Sequence, residues 1–494
     1  MLFEAFKLVA GSVPGSNGIR VGGTTHAYDG LAERATRIAS GLIGLGVQRG
    51  DPVAILMGHS PEMFAFAQAL FAIGAIAVPL DIRAGRSELE RAARQCHIRA
   101  VLARADLLAL ATAIAESAGV VLPVIVDGDA GPASLGALER TPVGALPAIG
   151  AEDVALYLMS SGSTGRPKVV VRTHGELLAD SANSTPTFGY GPHDLLLNLL
   201  PAHHAFGFAM TLSHASLSGA STLLWEDKQP LIAARGRLLQ AIGAEGVTVL
   251  PGVPFLFDLF AGVTDPVDLS RLRLAYSGAI ALKRASFDGF YERFGIPIRQ
   301  VLGTTETLVA TFNDSADVQA TWDSVGRVAG DTRIEVLPAA ESADPAVGEL
   351  LISSSAVTKG YLDNPEANRD SFRNGGWLSG DLGRIDEDGH VYIVGRKKLI
   401  VEVAGQKVDP IEIEDVLMAH PAVAEAVVVG IPDARTGEQR LKAFVVQRSE
   451  ATAGSVVDFA RARLAAHKVP YIVEFRDALP RSATGKVLRG KLVD

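Results

Sequence analysis

The chain has 494 residues, too many for one ordinary hydrophobic core, so two or three folding units are expected. With 48% hydrophobic and 20% charged residues the balance is globular and excludes a disordered chain. A net charge of −9 argues against nucleic acid or an anionic membrane as the main partner, and one cysteine, Cys96, excludes an internal disulfide framework and fits a reducing cytosol.

The N-terminal stretch MLFEAFKLVAGSVPGSNG carries Glu4 and lacks a basic leader followed by an apolar core, so it does not read as a signal peptide. DPVAILM, AIAVPL, AVLA and LPVIVD read as apolar strands alternating with helical stretches, a pattern of largely parallel α/β sheets. The charge-free run from Met63 to Leu80 is long enough to span a bilayer, but Gly74 and Pro79 divide it into a helix and a buried strand. Cys96, before the apolar strand of QCHIRAVLA, reads as a packing residue. VTVL and LRLAYSG continue the strand pattern, and after about residue 320 RIEVLP, GELLISS and GRIDEDGHVYIVG read as hairpins. A boundary is expected at Gly395-Arg396-Lys397-Lys398. Beyond it come helix EIEDVLMAH, strands AVAEAVVVG and LKAFVVQ, helix VVDFARARLAAH and strand YIVEFR. The tail LPRSATGKVLRGKL follows them. The fold class is therefore α/β. A large N-terminal region, 1–395, has several α/β subdomains and a small β-rich one, and a mobile α+β domain, 396–494, follows.

Four segments carry chemistry. Ser160-Ser161-Gly162-Ser163-Thr164-Gly165-Arg166-Pro167-Lys168 follows the strand-like VALYLM. Its glycines let the backbone approach a polyphosphate, its hydroxyls and amides donate to the oxygens, and Lys168 adds charge. It is not a Walker loop, because Lys168 follows Pro167 and precedes Val169. Thr304-Thr305-Glu306 sits at a strand end, where a carboxylate beside hydroxyls suits Mg2+ against phosphates. Asp381 and Arg396 bracket one hairpin; an aspartate can take both hydroxyls of a ribose. Lys486 lies on the glycine-containing tail. Taken singly, the last three read as ordinary turns or solvated side chains.

In this order and spacing the segments resemble the adenylate-forming superfamily of acyl-CoA synthetases, aryl-acid ligases, peptide-synthetase adenylation domains and beetle luciferase. The likeness runs from about Tyr28 to Leu492 and includes GVQRGDPVAIL, GELLISSSAVTKGYLDNPE and GQKVDPIEIEDVL. It implies an ATP-dependent ligase that makes an acyl-AMP with Mg2+ and passes the acyl group on. By the resemblance, Ser160 to Lys168 close over the β- and γ-phosphates, and Thr304, Thr305 and Glu306 make phosphate and magnesium contacts. Ser277, Gly278 and Ala279 lie along adenine and the acyl pocket, and Asp381 with Arg396 takes the ribose. Lys398 is the hinge, and Lys486 bridges carboxylate and phosphate. Three positions depart from the family pattern: Leu302 where an aromatic usually stacks on adenine, Val169 after the loop lysine, and Glu402 where many relatives carry a lysine.

Pro201 to Phe208 (PAHHAFGF) resembles the segment lining the acyl site. It offers no acid to hold an α-amino group, and its phenylalanine rings suit an aromatic or medium acyl acid. His204 is a candidate to contact or gate that acid, with a structural role in a tight turn as the alternative. The acceptor is expected to be coenzyme A, with a small amine as the alternative; other oxyacids, a luciferase-like oxygenase and an inactive nucleotide-binding protein are further readings. Lys397, Arg435 and Arg440 are the basic residues that coenzyme A would need in the small domain. A cytoplasmic protein without nucleic-acid or membrane partners is expected, and a homodimer is left open.

Overall fold

A computed structural model describes residues 1–122, 124–128, 133–160, 168–225, 227, 229–339, 344–399, 401–403, 406–432, 439–481, 485 and 487–493. The chain forms two compact units, Met1–Ile334 with Ile352–Trp377, and Glu335–Leu351 with Leu378–Asp494. The architecture is α/β, with a large N-terminal α/β region and a smaller C-terminal domain.

The first unit holds two mainly parallel sheets. One has six strands in the order Ile125–Val126, Ala100–Ala103, Pro52–Leu56, Ile76–Pro79, Val154–Ser160 and Lys168–Thr173. Its last pair is antiparallel. The charge-free run resolves as expected into the helix Pro61–Ile73 and the strand Ile76–Pro79. Ser60 caps that helix by accepting the Met63 amide, and Gly74 ends it at φ 69°, a left-handed conformation that glycine adopts without steric cost. Among the described residues no helix is long and apolar enough to cross a membrane. Cys96 is buried, and burial pushes its thiol up to about 12, which suits packing rather than nucleophilic chemistry.

The second sheet has nine strands. Leu195–Asn198, Val249–Gly252, Leu274–Ser277 and Ile298–Thr304 run parallel at its centre. Leu308–Phe312 then returns antiparallel to Ile298–Thr304. Hairpin texture thus begins before residue 320, because Thr304 to Thr307 close a turn by their own hydroxyls and allow no crossover helix.

Gly348–Ser353, Gly376–Ile385 and Val391–Arg396, whose residues fall mostly in the second unit, belong to a five-stranded sheet whose register sets Asp381 opposite Arg396. Further on, Val423–Pro432, Gln439–Gln447 and Ile472–Phe475 form a three-stranded sheet. The helices Pro410–Met418 and Ala453–Arg461 cover it, burying Ile413, Leu417, Val428, Val445 and Val456 in one core. The second helix stops at Arg461 rather than reaching His467. Its inward stripe is Val456 and Ala460, with Leu464 packing just beyond the helix, and no further buried residue follows until Pro470.

Candidate active site

The turn carrying Glu306 is fixed from several sides. The Thr304 hydroxyl accepts the amides of Glu306 at 3.2 Å and Thr307 at 3.1 Å, and its oxygen lies 3.1 Å from that of Thr307. The Glu306 carbonyl accepts from Arg172 Nη1 at 3.1 Å and from the Thr358 amide at 2.9 Å. Thr305 is half-buried in the same turn. The Glu306 side chain is only 8% exposed, and Oε1 accepts the Tyr361 hydroxyl at 3.0 Å. That phenol in turn accepts Trp377 Nε1 at 3.1 Å. Burial, and then the Glu306 charge, holds the Tyr361 phenol well above its ordinary range, so it donates rather than ionises.

Lys168 joins this cluster from the six-stranded sheet. Its Nζ stands 4.3 Å from the centroid of the Tyr361 ring, an ammonium on an aromatic face. The strand register pairs Lys168 with Ser160, so the two ends of the Ser/Gly-rich segment meet. Ser161, Gly162, Ser163, Thr164 and Gly165 lie outside the described residues, as do Arg166 and Pro167. Arg172, four residues beyond Lys168, is fully buried under the Glu306 turn. Burial lowers its pKa, opposed by Glu176, Asp180 and Glu306, and an arginine remains charged there.

The segment expected at the acyl side is placed beside Gly278. A Cβ on Gly278 would lie 2.8 Å from Val301 Cγ1 and 3.4 Å from the Phe206 ring, so only glycine fits. Phe206 leans on Tyr276, with centroids 6.0 Å apart, and Tyr276 stacks on Phe188 at 5.0 Å. Ala279 adopts φ 67°, a left-handed conformation rarely taken by a side-chain-bearing residue. His204 Nδ1 accepts the Phe206 amide at 3.3 Å, a turn contact at the start of the helix Ala205–Ala209. Leu302 is half-buried and opposite Thr311 in the hairpin.

In the second unit Asp381 is 2% exposed and its Oδ1 lies 2.6 Å from Arg396 Nε. Lys397 pairs with Glu349 at 2.8 Å, and the Arg440 guanidinium lies 4.1 Å from the Tyr471 ring centroid. Lys398 falls in a short helical turn, Lys397–Leu399, whose backbone is described. Its side chain and that of Glu402 lie outside the described residues, as do Arg435 and Lys486.

The family model for "AMP-binding enzyme" matches residues 10–362, and that for the "AMP-binding enzyme C-terminal domain" matches residues 412–486. The chain belongs to the AMP-binding enzyme family. A feruloyl-CoA synthase of Amycolatopsis sp is 32% identical over 97% of this chain and 96% of its own length. The ATP-bound crystal structure of MatB from Rhodopseudomonas palustris superposes with a TM-score of 0.89 at 28% identity, over 100% of this chain and 98% of that one. The o-succinylbenzoate coenzyme A synthetase of Bacillus subtilis, in complex with ATP and magnesium ion, gives 0.87 at 25% identity, over 99% of each. This AMP-binding enzyme is accordingly an AMP-forming acid ligase.

Against that identity, the sequence reading passed over Tyr361, Trp377 and Arg172. Tyr361 lies in the quoted block GELLISSSAVTKGYLDNPE, but nothing local distinguishes a catalytic-site tyrosine from a core one. Arg172 left a clearer trace, a charge directly after the apolar run Val169-Val170-Val171 within a strand. A buried charge requires partners, and acids at Glu176 and Asp180 recur at helical spacing after it.

Proposed function

We propose that this enzyme uses ATP to adenylate an aromatic or medium-length carboxylic acid and then transfers the acyl group to the thiol of coenzyme A. The observation that carries this reading is the meeting of Lys168 and Glu306 on one side chain, Tyr361, which sets a cation and a carboxylate about a single aromatic ring. Such a pair suits a polyphosphate and its counter-cation. In the first step a carboxylate oxygen attacks the α-phosphorus and the bond to pyrophosphate breaks; in the second the thiol attacks the acyl carbon and AMP leaves. Negative charge accumulates in the first step, and Lys168 and Lys486 are assigned to neutralise it. Thr304, Thr305 and the Ser160–Gly165 segment are assigned to the phosphates, Ala279 to adenine, Asp381 and Arg396 to the ribose, and Lys398 to the hinge of a C-terminal domain.

The chemistry of the donor set fits magnesium. Among the described residues no group of three or more His, Cys, Asp or Glu side chains could hold a metal alone. Glu306 commits Oε1 to Tyr361 and can offer its carboxylate to a cation otherwise held by phosphates and water, the usual manner of Mg2+. When bound, the ion would neutralise phosphate charge.

For the acid, Phe206 and Gly278 mark an apolar wall, and a relative named for feruloyl-CoA acts on an aromatic acyl group. For the acceptor, the names of the similar proteins favour coenzyme A. The test supplies purified enzyme, ATP and Mg2+ with an acid panel, traps adenylate with hydroxylamine, and then offers coenzyme A or an amine panel. Thioester of an aromatic acid is the expected product. Amide without thioester, at amine levels too low for uncatalysed capture, would overturn the acceptor assignment, and no pyrophosphate from any acid would overturn the ligase reading.

A further inference from the structure

Beneath the proposed site, three elements converge on one buried carboxylate. Asp180 lies on the helix His174–Phe188 and is 0% exposed. Its Oδ1 accepts the backbone amide of Val309 at 3.1 Å, and its Oδ2 lies 2.7 Å from Nε2 of His214, itself fully buried. Val309 is the second residue of the strand that leaves the Glu306 turn, and its first residue, Leu308, has φ 54°. A side-chain-bearing residue keeps that left-handed conformation only where its neighbours over-determine it. His214 belongs to Met210–Ala215, a π-helical widening that continues the helix beginning at Ala205 and carrying Phe206.

The two anchors of Asp180 therefore reach opposite sides of the proposed chemistry, the Glu306 turn through Val309 and the Phe206 helix through His214. Packing alone does not account for a carboxylate here, because burying one is costly unless it is paired or hydrogen-bonded. Here both oxygens are used, and each use joins a different element.

We propose that Asp180 and His214 are positioning residues that hold the turn bearing Glu306 and the helix bearing Phe206 as one body. The reading of Glu306 and Phe206 as phosphate-side and acyl-side residues underlies the kinetic half of this proposal. In full-length enzyme, His214→Leu should raise amide hydrogen exchange at least tenfold in the peptides covering 304–312. It should lower the adenylation kcat at least tenfold and raise KM for the acid. His214→Gln, whose amide can replace Nε2 as donor to Asp180, should restore both to within threefold. Wild-type exchange at 304–312 in folded His214→Leu would overturn the proposal, as would a loss of thermal stability alone with kcat and KM unchanged. Should His214→Leu fail to fold, His214→Phe, which keeps a ring and removes the donor to Asp180, carries the same criteria. If the wild type released no pyrophosphate from any acid, the ligase reading would fail, while the exchange measurement would still decide on the clamp.

Discussion

Glu306 and Asp381 are both buried acids, 8% and 2% exposed, yet their partners differ in kind. Glu306 accepts from a neutral phenol at 3.0 Å, whereas Asp381 faces an arginine at 2.6 Å. A neutral donor satisfies an oxygen but leaves the negative charge in place, so Glu306 remains a place for a cation to complete. Asp381 already has its counter-charge, and Arg396 is 41% exposed, so what the pair offers a ligand is hydrogen bonding. Under the proposed function, the first acid would hold a metal and the second hydroxyls. The difference in partner separates two roles that composition alone could not.

The largest expected effect comes from a residue outside this pair. If Glu306 and Asp381 only hold ligands, the charge that builds up in the first step needs a further cation, and Lys486 is assigned to it. Lys486→Ala should lower adenylation, read as hydroxamate formation, by roughly 10³-fold. Conversion of synthetic acyl-AMP should stay within about threefold of wild type. Equal losses in both steps would mean that Lys486 is not confined to adenylation.

The comparison itself is tested by neutralising each acid. Glu306→Gln keeps the shape but removes the charge, and should cost about 10²-fold in adenylation with the magnesium half-saturation moved upward. Asp381→Asn should raise KM for ATP by about tenfold, the cost of roughly 1.4 kcal/mol, with the magnesium titration unmoved. A magnesium shift in Asp381→Asn and none in Glu306→Gln would invert the assignment. Lys398→Pro, which fixes φ near −65°, belongs to the same scale. It should spare adenylation and lower overall turnover about tenfold; unchanged turnover would remove Lys398 as the pivot.

How much of this was visible in the sequence depends on whether a residue's neighbours in space are also its neighbours in the chain. The Pro61–Ile73 helix was readable because Ser60, Pro61 and Gly74 mark both ends locally. Lys168 stood out locally, at the end of its Ser/Gly-rich segment, whereas Glu306 and Asp381 stood out only through the order of several short motifs. Tyr361 was not legible, since its role comes from contacts with Glu306 and Lys168, 55 residues away for the first. The Asp180 and His214 pair, 34 residues apart, was hidden for the same reason. A buried charge in an apolar strand, as at Arg172, is the one sign of such a network that a single sequence offers, and its partners still have to be seen.

The smallest expected effect bears most directly on the nature of the Glu306 site. Tyr361→Phe retains the ring under Lys168 and deletes only the hydroxyl. Glu306 Oε1 then loses a donor and Trp377 Nε1 loses its acceptor. A buried donor left unpaired costs about 1–3 kcal/mol, so the melting temperature should fall. Adenylation kcat should drop by roughly three- to tenfold, because the carboxylate is less firmly oriented while its charge is intact. The magnesium half-saturation should not rise, since an acid released from a neutral donor is no poorer a ligand for a cation. Tyr361→Leu, which also removes the ring, should add a rise in KM for ATP through Lys168. If Tyr361→Phe instead shifted the magnesium titration as far as Glu306→Gln, the phenol would be part of the cation's hold. Glu306 and Asp381 would then differ in degree and not in kind.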